Sequence, residues 1–214
     1  MEAKKNTSSL ILVSLEDTKE GALLFPGDFL NSGTPEAVNM AFSRLASDKK
    51  LIRLGKGIYL YPKMDPLLGL LYPSLEEIAH IIAAKEKVLT RPTGAYALNK
   101  LGFSTQVPTK VVFLTNGSPR KIKVGKGTIT FKITTPKKMA AKGELTFLAI
   151  QSLIEMGEDS VSSKEIDRLV TLLKREEIST IREDAKFAPN WIARHLYYIA
   201  DKIEKNDTVP AAIC

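Results

Sequence analysis

The sequence is short of the residues that usually carry chemistry. Its one cysteine is Cys214, so no disulfide can form within the chain, which fits a reducing compartment. With that cysteine and two histidines, His80 and His195, it offers no metal-ligand spacing of the CxxC or HxxxH kind. Each histidine lies in a helical run beside apolar residues, the setting of a packed or hydrogen-bonded side chain. There is no GxSxG elbow, no P-loop and no dinucleotide-binding fingerprint. Glu155, Glu158 and Asp159 cluster where a helix passes into a turn, and read as a solvated turn rather than a nuclease-like carboxylate group. No catalytic residue, metal or cofactor is expected, and the chain does not read as an enzyme. Long apolar runs are missing as well. No window approaches the roughly 18 apolar residues of a membrane span. The run Leu10 to Val13 is too short for a signal-peptide core, and Glu16 and Asp17 follow it closely. No membrane partner is expected, and a cytoplasmic location is.

What the sequence does have is unevenly placed positive charge. The chain of 214 residues carries a formal net charge of +7, which favours an acidic partner such as nucleic acid. Residues 1–66 sum to +1, residues 67–84 to −2, residues 85–142 to +12 and residues 143–214 to −4. The basic block holds 13 Lys/Arg against one acid, Glu86.

No internal repeat or low-complexity tract interrupts the chain. The proline-rich stretch at residues 61–73 reads as a break, because each proline disfavours helix in the residue before it. The expected organisation is therefore a first domain at 1–66 and a second at 67–214. In the first, Ser9 to Lys19 reads as a helix and "PGDFLNSG" as a compact helical turn. Thr34 is placed to cap a helix whose first residue is Pro35, where a missing N–H costs nothing. Val38, Ala41, Phe42 and Leu45 then form one apolar stripe at helical spacing. "LIRL" and "GIYLY" flank "GKG" and read as a hairpin.

Helix followed by hairpin is the order of a winged helix-turn-helix, whose second helix enters the major groove. On that reading Thr34, Asn39, Ser43 and Arg44 line the DNA-facing side. Asn39 is able to pair with adenine, and Ser43 to meet a base or a phosphate. Arg44, Lys49, Lys50, Arg53 and Lys56 meet phosphate, with Lys56 at the wing tip. Glu36 lies on the same face and opposes the phosphate field. The competing reading is a winged helix used only for protein contacts.

In the second domain Ser74 and Glu77 form a capping box before an apolar run. "KVLT" reads as a strand, Thr93 as the cap of a helix through "GAYALNKLG", and "KVVFLT" as a strand. "KIKV" and "TITFKI" flank a second "GKG" as a hairpin with one wet face. From Gly143 onward three helical runs follow, and Trp191, Ala193, Leu196, Tyr197 and Ala200 fall near helical spacing in the last, which reads as core. The fold class is therefore α+β: a winged helix-turn-helix, a small mixed β-sheet, then a helical domain. The basic surface of this domain is read as Lys100, Lys110, Arg120, Lys121, Lys123, Lys126 and Lys132, with Lys137, Lys138 and Lys142 following. It is either a second polyanion surface, a docking face for an acidic protein, or a lysine-rich hairpin that resists edge-to-edge pairing. Few aromatics lie among the lysines, which disfavours stacking on single strands.

Three stretches carry a family resemblance: "GALLFPGDF", "GTPEAVNMAFSRLASDKKLIRLGKGIYLYP" and "RPTGAYALNKLGFSTQVPTKVVFLTNGSPRKIKVGKGTITFK". They resemble the AbiEi-like proteins, bacterial type IV antitoxins and related transcriptional regulators, over most of residues 21–135. The resemblance implies a winged helix that binds duplex DNA at its own operator and represses its operon. It also implies a second domain that opposes a nucleotidyltransferase-type toxin, which it need not touch. By position, the DNA-reading helix is Pro35 to Leu45 and the wing is Arg53 to Tyr59. The antitoxin module is Thr93 to Gly102 with the basic strands through Lys132. The alternative from a different class is a non-catalytic adaptor whose winged helix and basic hairpin dock proteins.

Overall fold

The computed structural model describes residues 6–207, so Cys214 lies outside the described residues. The chain is α+β and divides into two compact units. The first unit runs to Ile82 and also takes in Ile122–Thr128. The second holds Ala83–Lys121 and resumes at Ile129. The division expected after residue 66 thus lies later, and a detached hairpin tip joins the first unit.

The first unit opens with α1 (Thr7–Glu16), the short strand β1 (Leu23–Leu24) and a 3-10 turn, Pro26–Ser32. Helix α2 (Pro35–Ser47) follows, then β2 (Ile52–Gly55) and β3 (Ile58–Leu60). Thr34 caps α2 as expected: the Ala37 N–H donates to Thr34 Oγ1 at 3.3 Å. The stripe Val38, Ala41, Phe42 and Leu45 is buried. It packs against Ile11 and Leu15 of α1, Leu24 of β1 and Tyr59 of β3. Phe42 is fully buried, with its ring 5.2 Å from Phe29 and 5.0 Å from Tyr59. The strands form a three-stranded sheet in the order β1-β3-β2, antiparallel throughout, pairing Leu23 with Leu60 and Arg53 with Tyr59.

The stretch read as a break is structured. β4 (Met64–Asp65) and β5 (Gly69–Leu70) make a small antiparallel hairpin. Its turn is held by Asp65, whose Oδ1 accepts the Leu67 and Leu68 N–H groups, both at 2.9 Å. The Leu68 and then the Leu67 bond hold the Asp65 carboxyl below its usual range. Helix α3 (Leu75–Glu86) follows, with the expected capping box: Ser74 N–H donates to Glu77 Oε2 at 2.7 Å, and Glu77 N–H to Ser74 Oγ at 3.1 Å.

The second unit contains β6 (Thr90–Thr93), α4 (Ala95–Lys100), β7 (Lys110–Thr115), and the strands β8 (Arg120–Val124) and β9 (Gly127–Ile133). The sheet order is β6-β7-β9-β8. β6 and β7 are antiparallel. The Thr134 N–H donates to the Thr115 carbonyl, which sets the C-terminal ends of β7 and β9 side by side and makes the sheet mixed. Two sequence expectations fail here. The strand expected at "KVLT" starts three residues later. Lys87 adopts φ 55 and ends α3 with its N–H on the Ala84 carbonyl and the Val88 N–H on the Ala83 carbonyl. Nor does Thr93 cap α4. Gly94 occupies that position with φ 66, and Thr93 Oγ1 instead donates to Gln151 Oε1. Pro92, in the strand, is tolerated because β6 is an edge.

The helices are α5 (Pro136–Met139), α6 (Glu144–Met156), α7 (Ser163–Leu173), α8 (Ile178–Ala185) and α9 (Asn190–Asp207). Residues 146–153 of α6 are all buried, as befits the central helix of a bundle. It packs against Leu101 and against Leu169, Ile181, Leu196 and Ile199 of the surrounding helices. Helix α8 carries the surprise. Its Asp184 is fully buried, and accepts the Lys142 N–H at 2.8 Å and the Gly143 N–H at 2.7 Å. Glu176 accepts the Leu145 and Thr146 N–H groups at 2.6 and 3.0 Å. Two carboxylates from distant sequence therefore close the N-terminus of α6.

Candidate nucleic-acid interface

The candidate face of the first unit is the side of α2 turned from its core. Glu36, Asn39, Met40, Ser43, Arg44 and Ser47 are exposed. Met40, Ser43, Arg44, Ser47 and Asp48 rim a shallow open hollow. Glu36 sits in the first turn, where a negative charge favours the helix dipole, so a local cause accounts for this acid. Asn39 is exposed, but its Nδ2 donates to the Pro35 carbonyl at 2.8 Å. A two-bond contact with adenine therefore requires the amide to leave the helix backbone first. The Thr34 hydroxyl is engaged as the helix cap.

Helix α2 ends in a Schellman arrangement. The Lys49 N–H donates to the Ala46 carbonyl at 3.2 Å and the Lys50 N–H to the Leu45 carbonyl at 2.9 Å. Lys49 holds φ 59, a conformation that suits glycine. Lysine here carries a steric cost that its charge at the helix C-terminus partly offsets. Replacing Lys49 by Gly is expected to raise stability by about 1 kcal/mol, to be measured by urea unfolding. Beyond it, Arg53 is exposed on β2, and Lys56 is exposed in the turn to β3, where Gly57 has φ 69.

The seven residues expected to form the basic surface of the second domain divide between the units. Lys123 and Lys126 are exposed on the hairpin tip that belongs to the first unit. There the Gly125 N–H donates to the Leu54 carbonyl at 2.9 Å. Lys100, Lys110, Arg120, Lys121 and Lys132 remain in the second unit. Arg120 is held by structure: it pairs with Glu86 at 2.6 Å and lies over the Phe131 ring at 5.2 Å. Lys132 and Lys138 rim a cleft whose wall includes Thr93, Phe147, Gln151 and Phe187. Lys137 and Lys142 are exposed, and Lys142 pairs with Glu183 at 3.0 Å.

Both histidines and Glu158 each meet another side chain. His80 Nε2 lies 3.5 Å from Glu76 Oε1, one turn away on α3. The His195 ring meets Trp191 edge to face at 6.1 Å. Glu158 pairs with Arg194 at 3.7 Å. Among the described residues no group of three His, Cys, Asp or Glu is placed to hold a metal ion. No helix among them is long and apolar enough to cross a membrane.

Residues 10–181 match the model of a family of unknown function, DUF6088. Among solved structures the chain is similar to the RV2827C protein from Mycobacterium tuberculosis, at 11% identity and a TM-score of 0.44, over 93% of this chain and 80% of that one. No curated protein matches it.

Proposed function

We propose that this chain, which belongs to the DUF6088 family, is a duplex-DNA-binding transcriptional regulator of the winged-helix type that represses its own operon. The element order α1, β1, 3-10 turn, α2, β2, β3 supports the winged-helix reading, as does the pairing of β3 with both β1 and β2. One observation carries the DNA reading. The exposed face of α2 offers short polar side chains for close approach, and is followed by Lys49, Lys50, Arg53 and Lys56, all exposed. Short polar groups suit base edges, and the cations suit the phosphates on either side. The AbiEi-like resemblance extends the proposal to an antitoxin role against a nucleotidyltransferase-type toxin, acting in the cytoplasm without a cofactor.

The test is fluorescence anisotropy with a labelled duplex from the gene's own upstream region against a shuffled duplex at moderate salt. Preference for the upstream duplex is expected, and equal binding overturns operator recognition. An adjacent nucleotidyltransferase gene is the expected companion of the antitoxin role. Asn39→Ala is expected to weaken operator binding by about 1–3 kcal/mol and to relax specificity at one position. Lys56→Ala should weaken all duplexes alike. If the two substitutions behave identically, the division between reading and holding is wrong. In the same titrations Lys49→Gly should lose affinity while gaining stability, a combination that a merely structural lysine does not give.

One observation favours a protein partner instead. The β4–β5 hairpin exposes Leu67 at 94% and Leu68 at 78%. On the adaptor reading the chain binds neither duplex, and Leu67→Ser with Leu68→Ser abolishes capture of its partner.

A further inference from the structure

We propose that the tip of the β8–β9 hairpin is a second wing, and that it grips the phosphate backbone of the same duplex as the β2–β3 turn. The proposal rests on the DNA reading above and adds a set of contacts to it. The sequence places the same tripeptide at both tips: Gly55-Lys56-Gly57 and Gly125-Lys126-Gly127. The fold brings the two together. The Gly125 N–H donates to the carbonyl of Leu54, the residue between Arg53 and Gly55.

That contact is tight enough to need glycine. A Cβ on Gly55 would stand 2.5 Å from the Lys123 carbonyl oxygen, a backbone atom with little room to retreat. On its other side the tip meets α3: a Cβ on Gly127 would stand 2.8 Å from Leu75 Cδ1. The turn itself is set by Gly125 at φ 55, which leaves Lys126 at the apex. A hairpin needs no such close seat merely to close its own sheet.

The consequence is electrostatic. Residues 52–58 and 120–128 contain no acid, and Arg53, Lys56, Lys123 and Lys126 are all exposed. Two adjacent turns of one sign, each with a lysine at its apex, suit a polyanion of regularly spaced charge. Lys123 and Lys126 thereby move from the role of a separate basic surface to that of the first unit's own phosphate contacts.

The experiment uses the full chain and a labelled duplex of random sequence over a salt series. Each phosphate contact contributes about 0.9 to the slope of log affinity against log salt. Lys126→Ala and Lys123→Ala are each expected to lower the slope by about 1, as Lys56→Ala does, and Lys56→Ala with Lys126→Ala by about 2. Lys164→Ala, an exposed lysine of α7, should leave it unchanged. Gly55→Ala keeps every charge but displaces the tip, and should lower the slope while the circular dichroism spectrum stays that of the parent. If Lys56→Ala lowers the slope and Lys123→Ala and Lys126→Ala do not, the second wing is refuted and the DNA reading stands. An equal loss on Lys164→Ala also refutes it, because the slope then follows net charge. Absence of salt-dependent binding by the parent chain defeats the DNA reading itself, and the second wing with it.

Discussion

Asp184→Ala is expected to remove about 3 kcal/mol of stability, the largest single-residue effect on folding argued for this chain. Asp184 is fully buried and its two oxygens each accept one backbone N–H, from Lys142 and Gly143. Hydrogen bonds to a charged acceptor contribute more than neutral ones, and here both donors are left without a partner when the carboxylate goes. Alanine also leaves a void where the carboxylate stood. For a chain of this size the loss corresponds to a fall in melting temperature of about 6–12 °C. Asp184→Asn should fall between alanine and the parent, because one oxygen still accepts while the new NH2 faces a backbone donor. Glu158→Ala is the matched control. Its partner Arg194 lies 3.7 Å away and both side chains are mostly exposed, so its effect should stay within about 0.5 kcal/mol. Thermal and urea unfolding followed by circular dichroism check all three. An Asp184→Ala variant no less stable than Glu158→Ala would show that the α6 terminus does not depend on this cap.

That cap marks where the sequence stops being readable. Local patterns were legible because their causes are local. The Thr34 cap, the stripe through Val38 and Phe42, and the Ser74–Glu77 box each need residues only a turn apart. Strand β7 was legible because its apolar run allows little else. The misplaced strand has a local cause that composition hides. Val88 and Leu89 look like strand residues, but Lys87 takes a left-handed turn with no glycine to announce it, and Leu89 ends 63% exposed. Thr93 was misread because a threonine before a glycine resembles a cap, whereas its hydroxyl reaches across to Gln151 of α6. The α6 cap and the seat of Gly125 on Leu54 both join residues far apart in the chain. No periodicity predicts such pairs. In the candidate interface, the residues of α2 and of the β2–β3 turn lie within one short stretch of sequence, so local pattern groups them. The division of the basic block was not, because it depends on the Gly125–Leu54 contact. The repeated GKG was the one signal that links the two tips, although the left-handed residue is Gly57 in the first turn and Gly125 in the second.

The affinity of the parent chain for duplex DNA is expected to fall by nearly four orders of magnitude when salt rises fourfold from low ionic strength. The argument counts cations. Arg44, Lys49, Lys50, Arg53 and Lys56 are exposed on or just beyond α2, and Lys123 and Lys126 add the second turn. If all seven meet phosphate, the slope of log affinity against log salt is about −6. If the second turn stands apart, five contacts give about −4.5, and the same rise in salt costs only about 500-fold. The acidic residues of the first unit do not cancel this count. Counterion release depends on which cations replace ions condensed on the duplex, and Glu36 is placed to serve its own helix dipole. A near-neutral unit is therefore compatible with a steep slope when its cations share one side. The second unit supplies the third case. Lys100, Lys110, Lys121 and Lys132 are exposed there, and a slope near −10 would mean that they meet phosphate too. A slope near −6 gives them no part in holding this duplex. A slope shallower than about −2 cannot be reconciled with α2 and its wing tracking a duplex. Anisotropy titrations of one labelled duplex over a salt series, at constant pH, separate the four values.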